Sequence, residues 1–379
     1  MTAVISRPDT QEKLRILSAD AQYDLACACS SKDDPGRTRG SDGNWIYPVT
    51  LAHGGKTTLF KTLISNVCGN DCRYCPLRSE MDIRRCSLSA EETVRIFLDY
   101  YRRKKVFGLF LSSGLCGSAE RTMEILNGTA RILRNRHRYK GFIHLKIIPG
   151  ASDAAIEEAV SLASAVSLNI ETTGAERMRK LSNRKEYIRD IIEPIKLISR
   201  LTGKGMRYSR VKQTTQFIVG AADEPDTEIV KYMSGLYDRL NMHRVYFSAY
   251  QNSLGNKELK AEEPGEKPVD IFMREHRLYQ VDFLLRRYGF KEKDILFGED
   301  GRLSLDTDPK EVWAMNHPEF FPVNVNYATK FDLLRIPGLG PMTVGRILHR
   351  RRYAKLQRIE DIGKVGVLLK KAEKHLRFT

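Results

Sequence analysis

Three cysteine thiols lie close together in the segment Cys68-Gly69-Asn70-Asp71-Cys72-Arg73-Tyr74-Cys75. Thiolates are the ligands that favour iron–sulfur clusters and zinc. Three of them can hold three irons of a four-iron cluster and leave the fourth iron open to a substrate. A zinc knuckle would need a further ligand, for which Cys86 and His53 are the candidates. The spacing therefore predicts a metal centre and favours a cluster.

The residues around this segment predict a sheet that would position it. Short β-rich runs alternate with helical periodicity, which is the pattern of parallel strands joined by crossover helices. We predict strands at 59–66, 108–113, 141–148, 165–172, 213–221 and 243–250. The helices predicted between them lie at 89–100, opened by a capping box, and at 118–136, 153–163, 184–200 and 226–240. Six such units predict an open, partial (β/α)6 barrel, with the cysteines at the strand ends where ligands bind.

The chain as a whole is predicted to be an α/β protein with a small all-α C-terminal domain. We assign 1–58 to an N-terminal extension with a short helix, and 59–250 to the barrel core. Residues 251–324 are read as a linker and basic helical segment with a helix at 271–288, and 325–379 as the C-terminal module.

Composition narrows the partners and the compartment. The formal charge is +16, from 63 Lys and Arg against 47 Asp and Glu, which predicts a polyanionic partner and nucleic acid first. The N-terminus lacks a signal-peptide pattern, and no apolar run approaches the roughly 20 residues of a membrane span. Crowded thiols suit a reducing compartment. We therefore expect a cytoplasmic protein without membrane contact.

The cysteine spacing, with Tyr74 before the last thiol, resembles the signature of the radical S-adenosylmethionine superfamily. The resemblance implies a [4Fe-4S] cluster on the three cysteines, with S-adenosylmethionine bound at the open iron and Tyr74 beside its adenine. It also implies reductive cleavage to methionine and a 5′-deoxyadenosyl radical. A flavodoxin- or ferredoxin-type protein would supply the electron.

Further cofactor contacts are expected at the ends of the predicted strands. The superfamily's turn after the second strand corresponds here to Leu111-Ser112-Ser113-Gly114, which lacks the usual Glu, so Ser112, Ser113 or backbone carbonyls would take the methionine amino group. Asn169 and Glu171 alternate onto one face of the fourth strand. Glu171 would bind ribose hydroxyls, unless it is a solvated or salt-bridged residue.

Two more strands carry polar residues that either face the predicted site or have structural roles. Gln213 and Thr215 begin the fifth strand and are expected to line the cofactor site, the alternative being that they satisfy backbone groups. His144 and Lys146 alternate on the third strand, either toward substrate or in structural roles. Of the remaining cysteines, Cys27, Cys29, Cys86 and Cys116 are either ligands of an auxiliary cluster or, as we favour, small buried apolar residues.

Residues 331–348 resemble a helix-hairpin-helix DNA-binding motif. Glycines permit a tight turn, and the turn's free amides with the next helix N-terminus would hold one backbone phosphate. A second, degenerate hairpin is expected at 362–366. Such contacts read the phosphate backbone rather than the bases. The predicted DNA-binding residues are Gly338, Leu339, Gly340, Arg346, Arg350 and Arg351.

Together with the segment 274–280, these features resemble the DNA modification or repair proteins of the radical S-adenosylmethionine superfamily. The resemblance implies a DNA substrate. One alternative is a radical enzyme acting on RNA or a small metabolite. The other is a non-catalytic iron–sulfur DNA-binding protein, although its cluster would have four cysteine ligands near the C-terminus.

Overall fold

The computed structural model describes residues 8–21, 45–50, 55–251, 255, 259 and 268–379. The chain divides into two compact units. The first, here called the barrel unit, comprises Met1–Glu224 and Leu236–Lys267, and the second, the C-terminal unit, comprises Pro225–Gly235 and Pro268–Thr379. The domain limits assigned from the sequence stay predictions. In the described part of the chain, no helix has the length and apolarity to cross a bilayer.

The barrel unit is built on a curled seven-stranded sheet whose strands follow in sequence order. Its strands are β1 (Ile46–Thr50), β2 (Lys56–Leu63), β3 (Gly108–Ser112), β4 (Phe142–Lys146), β5 (Ala165–Ser167), β6 (Lys212–Val219) and β7 (Arg244–Ala249). Strands β2 to β7 are parallel to their neighbours, whereas β1 pairs antiparallel with β2. The six parallel strands confirm the predicted partial barrel.

Strand β1 was not predicted, because Pro48 interrupts its short β-rich run. Proline has no N–H to donate to a ladder, so it is confined to edge strands. Strand β1 pairs only with β2 in the seven-stranded sheet. Its position at the edge therefore tolerates the proline.

Helices precede or follow these strands along the chain. They are α1 (Thr10–Asp20), α2 (Ala90–Arg102), α3 (Ala119–Arg131), α4 (Asp153–Leu162), α5 (Ala175–Leu181), α6 (Glu193–Thr202) and α7 (Asp226–Leu240), of which α7 is divided between the two units. The predicted capping box is present, since Ser89 Oγ accepts from Glu92 N at 3.1 Å and Glu92 Oε2 accepts from Ser89 N at 2.8 Å. Two predicted helices contain π-helical segments, at Ile132–Arg136 and Tyr187–Ile192. The seven-residue α5 was missed because it is too short to show helical periodicity.

The C-terminal unit is helical, as predicted, apart from one pair of two-residue parallel strands. Its helices are α8 (Pro268–Arg287), α9 (Pro309–Asn316), α10 (Lys330–Arg335), α11 (Pro341–Arg350) and α12 (Val367–Glu373), and its strands are β8 (Val323–Asn324) and β9 (Leu376–Arg377). An apolar core that includes Leu333, Leu339 and Ile347 packs these elements together. The Arg274 guanidinium pairs with Asp226 at 2.8 Å, and both side chains are almost wholly buried.

Candidate cofactor site

The loop that carries the three cysteines, residues 68–75, follows β2 at the carboxyl edge of the sheet. The loop after β3 packs against its start, since Gly114 N donates to Ser65 O at 2.7 Å. A Cβ at Gly114 would come within 2.6 Å of the Val67 carbonyl oxygen, so only glycine fits. This close approach brings the end of β3 beside the cysteine loop.

A cavity of about 350 Å³ opens at this edge of the barrel unit. That volume is in the usual range for small-molecule sites, roughly 300–1,000 Å³. It is lined by the three predicted ligands and by five of the seven predicted cofactor residues: Cys68, Cys72, Cys75, Tyr74, Ser112, Ser113, Asn169 and Glu171. Residues from the loops after β2, β3, β4, β5 and β7 therefore meet around one space, as expected for the strand ends of a parallel sheet.

Two of the cysteine sulfurs accept backbone hydrogen bonds. Leu115 N donates to Cys68 Sγ at 3.4 Å, and Leu77 N donates to Cys75 Sγ at 3.4 Å. The third thiol, Cys72, lines the same cavity as the Lys185 side chain. Hydrogen bonds to sulfur stabilise the anionic thiolates that bind iron, and they help to set cluster potentials. The donor pattern thus fits a cluster held by three thiolates.

Without a metal, burial raises the pKa of Cys72 and raises the pKa of Cys75 to about 12. A coordinating metal displaces the thiol proton outright, so a high intrinsic pKa does not oppose ligation.

The arrangement differs from a zinc knuckle. Over the described residues, no group of three or more His, Cys, Asp or Glu side chains converges on a point that could hold one ion. A cluster does not need such convergence, because each thiolate binds a different iron at a different corner. Cys86 lies instead in a small apolar cluster with Leu17 and Leu88, where burial raises its pKa to about 11. His53 lies outside the described residues.

A buried polar network connects the cysteine loop to the strand ends. The Tyr74 hydroxyl donates to Glu171 Oε1 at 2.6 Å, and Lys185 Nζ donates to the Tyr74 oxygen at 3.1 Å. Lys185 Nζ also lies 3.5 Å from Glu171 Oε1, while Asn169 Nδ2 donates to Glu171 Oε2 at 3.4 Å. Burial leads the causes that raise the pKa of Tyr74, which keeps the hydroxyl neutral as a donor. Glu171 therefore offers mainly Oε2 to a ligand.

The backbone of Glu171 is strained, and its side chain is held by the hydrogen bonds described above. Its φ is +65°, in the left-handed region that residues other than glycine rarely adopt. Here the chain leaves the β5 ladder, then rejoins β6 through a single bridge between Glu171 and Phe217. This turn explains why the predicted strand 165–172 ends at Ser167. Strain of this kind clusters at functional sites.

Two predicted cofactor residues must be withdrawn, because the structure places Gln213 and Thr215 outside the cavity lining. Gln213 Nε2 donates to the Ile195 carbonyl of α6 at 2.9 Å. Thr215 Oγ1 donates to the Leu168 carbonyl at 2.7 Å. Strand residues alternate between faces, so these two point toward the helices while Gln216 and Ile218 line the cavity. The alternative role, satisfying backbone groups, is the one observed.

The lining residues that were not foreseen include Lys185, Gln216, Tyr250 and Asp20. Asp20, at the end of α1, accepts from Asn66 Nδ2 at 2.7 Å, and burial raises its pKa. Gln216 was missed because β6 carries polar residues on both faces, so alternation alone does not tell which face lines the cavity. No local sequence pattern marks the other three, since they reach the cavity from separate loops and the N-terminal helix.

His144 and Lys146, the pair predicted on the third strand, differ in their surroundings: one lines the cavity and the other makes structural contacts. Lys146 lines the cavity. His144 Nε2 instead lies 2.9 Å from Ser167 Oγ, and its ring packs edge-on against Phe110. Cys116 is half-buried and is not among the lining residues, and Cys27 and Cys29 lie outside the described residues.

The predicted hairpin lies between α10 and α11. Gly338 has φ +86°, and a Cβ there would come within 2.1 Å of the Leu368 carbonyl oxygen of α12. The turn therefore requires glycine and packs directly on α12. Gly340 is the N-cap of α11, with no side-chain cap bond. Leu339 is 1% exposed, so its side chain belongs to the core and not to a surface.

A buried lysine supports this turn from below. Lys310 Nζ donates to the Leu339 carbonyl oxygen at 2.6 Å and lies 4.8 Å from the centre of the Tyr288 ring. Burial lowers the pKa of Lys310 to about 7. The carbonyl end of the turn is therefore satisfied from within the unit.

The three predicted arginines make internal contacts. Arg346 Nη1 donates to the Ile362 carbonyl at 3.4 Å, and Arg350 Nη1 donates to the Asp361 carbonyl at 2.6 Å. These two carbonyl groups lie at the start of the second predicted hairpin. Arg351 Nη1 donates to Ala328 O at 2.7 Å. Arg346 and Arg350 remain exposed with further N–H groups available, whereas Arg351 is half-buried.

Part of the chain is similar to a known protein family. Residues 62–234 match the family model for the Radical SAM superfamily. No protein of curated function shows significant similarity to the chain.

Three solved structures share part of the fold. The FeFe-hydrogenase maturase HydG from Carboxydothermus hydrogenoformans is 17% identical over 58% of this chain and 50% of its own, with a TM-score of 0.44. A second HydG structure is 14% identical over 58% and 48%, also with a TM-score of 0.44. Methylornithine synthase (PylB) is 14% identical over 67% of each chain, with a TM-score of 0.45. The chain thus spans about half the length of the HydG structures it matches.

The family match covers the cysteine loop and the sheet from the last two residues of β2 to the end of β6. Members of this superfamily use a [4Fe-4S] cluster and S-adenosylmethionine. Residues 62–234, which are slightly less than half of the chain, therefore form a radical SAM domain.

Proposed function

We propose that the protein is a radical SAM enzyme, that Cys68, Cys72 and Cys75 hold its [4Fe-4S] cluster, and that it acts on DNA. The single observation that carries the cluster assignment is that all three thiols line one cavity. When bound and reduced, the cluster would cleave S-adenosylmethionine to start radical chemistry. A flavodoxin- or ferredoxin-type protein in the cytoplasm would supply the electron.

The other lining residues would bind and orient S-adenosylmethionine. Ser112 and Ser113, with nearby carbonyls, offer acceptors for the methionine ammonium. The Asn169 amide and the Oε2 atom of Glu171 offer partners for the ribose hydroxyls. Tyr74 would lie beside adenine, while its own hydroxyl stays bonded to Glu171.

The DNA proposal rests on charge and on the hairpin. Residues 325–379 contain thirteen Lys and Arg against four Asp and Glu, which is +9 of the chain's formal +16. The α11 N-terminus, capped by Gly340 without a side-chain bond, leaves amide donors for a phosphate. Exposed lysines and arginines nearby would add backbone contacts without base readout. DNA modification or repair is the role that these features support best.

The cluster assignment is tested by iron analysis of the anaerobically reconstituted full chain. We expect Cys72→Ser to lose the cluster absorption and the formation of 5′-deoxyadenosine. The matched control is Cys86→Ser, because Cys86 is a buried cysteine of the same region that is not among the residues lining the cavity. Equal iron content in the two variants would refute the assignment, as would zinc in the purified protein.

The substrate is tested by binding and by product analysis. We expect fluorescence anisotropy to show duplex DNA bound more tightly than RNA of equal length, with affinity falling as salt rises. Mass analysis of DNA treated with the reduced enzyme and S-adenosylmethionine should show a changed nucleoside. Preference for RNA, or turnover of a small metabolite without any nucleic-acid binding, would contradict the DNA proposal.

A further inference from the structure

Lys185 is a buried cation that lines the cavity but was not among the predicted ligands or cofactor contacts. Its side chain is 6% exposed, as is that of Glu171. Its ammonium contacts the Tyr74 hydroxyl and the Glu171 carboxylate, and its side chain lines the same cavity as the Cys72 thiol. One side chain therefore joins the aromatic residue of the cysteine loop to the strained carboxylate.

The cysteine loop is held by the segment that ends at Lys185, here called the clasp (residues 179–185). Arg73 N donates to Leu181 O at 2.8 Å, and Arg73 Nη1 donates to Lys180 O at 2.6 Å. Asp71 accepts from Asn183 N at 3.0 Å and from the Ser182 hydroxyl, and Arg184 donates to the Gly69 carbonyl. The loop would thus keep its place if Lys185 alone were changed.

Charge is what Lys185 adds beyond these contacts. A buried ammonium is retained only where anions compensate for its desolvation. For Lys185 that anion is the Glu171 carboxylate, whose Oε1 lies 3.5 Å from Nζ. The side chain is therefore a fixed positive charge in a low-dielectric site, where electrostatic interactions are stronger than in water.

We propose that Lys185 is a positioning residue that orients Tyr74 and Glu171, and that its charge, in the cavity that the three cysteines line, raises the reduction potential of the cluster. This inference rests on the proposed cluster at the three cysteines. Reduction adds one electron, supplied by an external reductant, and breaks no bond. The added negative charge lies next to the ammonium, so Lys185 stabilises the reduced form more than the oxidised form.

The same reasoning assigns an opposite effect to Glu171. Its carboxylate belongs to the same buried network, so it disfavours an added electron. Replacing it with glutamine removes the negative charge and keeps an oxygen that can accept from Tyr74 and Lys185. The two substitutions must therefore shift the potential in opposite directions, which general damage to the site would not do.

The test is a redox titration of the reconstituted full chain with dithionite, followed by the electron paramagnetic resonance of the reduced cluster. For Lys185→Met we expect at least a tenfold lower ratio of reduced to oxidised cluster at a fixed potential, equivalent to a shift of about 59 mV to more negative values. Glu171→Gln should shift the midpoint to more positive values. Lys185→Arg should stay close to the wild type, since it keeps the charge.

Lys196→Met is the matched control, because Lys196 is an exposed lysine of the same unit that pairs only with Glu193. It should leave the midpoint unchanged. An unchanged midpoint in Lys185→Met, or shifts of the same sign in Lys185→Met and Glu171→Gln, would overturn the inference. If Lys185→Met fails to retain iron, the Glu171→Gln and Lys185→Arg results decide it. A wild-type chain that holds no cluster would instead refute the proposed function.

Discussion

Replacing Lys310 should change how the stability of the C-terminal unit depends on pH. Lys310 is 6% exposed, and burial lowers its pKa to about 7 from an ordinary 10.5. Asp308 acts in the opposite direction but does not offset the burial. The folded state thus releases this proton more readily than the unfolded state does.

The direction of the effect follows from proton binding. Below pH 7 the Lys310 ammonium is charged in both the folded and the unfolded state. Folding therefore bears the whole free-energy cost of burying that charge, which is about 5 kcal/mol because the pKa falls from 10.5 to about 7 and each pKa unit corresponds to 1.36 kcal/mol. Between pH 7 and 10.5 the unfolded chain binds more protons than the folded one, and stability rises with pH. The gain between pH 7 and pH 9 is roughly 2 kcal/mol. Burial also raises the pKa of Tyr288, so this neighbouring phenol stays neutral over that interval.

Lys310→Met removes the titrating group and leaves the Leu339 carbonyl without its donor. The lost bond costs about 1–3 kcal/mol at every pH, because a buried acceptor is left unsatisfied. The variant should therefore equal or exceed the wild type in stability at pH 7 and lose that advantage by pH 9. The two stability curves should converge or cross in that interval.

Guanidinium unfolding followed by tryptophan fluorescence measures this difference. The chain has two tryptophans, Trp45 and Trp313, and Trp313 is buried in the C-terminal unit. A Trp45→Phe background makes Trp313 the only reporter. The exposed Lys330 provides a control, since Lys330→Met should leave the pH dependence unchanged. Parallel stability curves for the wild type and Lys310→Met would refute the reasoning.

Three further substitutions test other features of the two units. Asp226→Asn should destabilise the C-terminal unit by about 3–5 kcal/mol in the same denaturation assay, because it removes the carboxylate charge that pairs with the buried Arg274 guanidinium; a loss below 1 kcal/mol would contradict this. Gln216→Ala should weaken S-adenosylmethionine binding in calorimetry with little change in stability, whereas Gln213→Ala should lower stability and spare binding. The reverse result would mean that the strand faces are misassigned. Tyr250→Phe should weaken binding of a cavity ligand without loss of stability, because the buried Tyr250 hydroxyl lines the cavity with no hydrogen-bond partner among the described residues; a large drop in melting temperature would count against it.

The hairpin is tested by a pair of glycines in the same unit. Gly338→Ala should weaken duplex DNA binding at least tenfold while cleavage of S-adenosylmethionine continues, because its Cβ would collide with the Leu368 backbone. Gly345→Ala is the control, since a Cβ there meets nothing within 4 Å. Equal DNA affinity in both variants would remove the hairpin from the DNA interface.

Features that are local in sequence were predicted well. The alternation of β-rich runs and helical periods located all six parallel strands, and the Ser89 capping box marked the start of α2. Strand order followed from the short crossovers of a parallel sheet. The cysteine loop could be placed at the carboxyl edge because it comes directly after β2.

Features that depend on distant contacts were not predictable in this way. Strand β6 is covered on both faces, so its sequence did not reveal that Gln216, and not Gln213, faces the cavity. Lys185 is linked to Tyr74 across 111 positions, and nothing near it in the sequence marks its role. The arginines of α11 were expected to face DNA, but their bonds to carbonyls formed only once the hairpins packed together.

The clasp also constrains when the protein can acquire iron during synthesis. Its contacts to the cysteine loop join residues 106 to 115 positions apart, so the ribosome must release the chain past Lys185 before they form. At 5–20 residues per second, on the order of 10 seconds would pass between synthesis of the cysteine loop and synthesis of the clasp. Iron delivered during that interval would encounter a cysteine loop that has not yet formed its hydrogen bonds to the clasp. Maturation of this enzyme is therefore expected to follow, rather than accompany, translation of its N-terminal half.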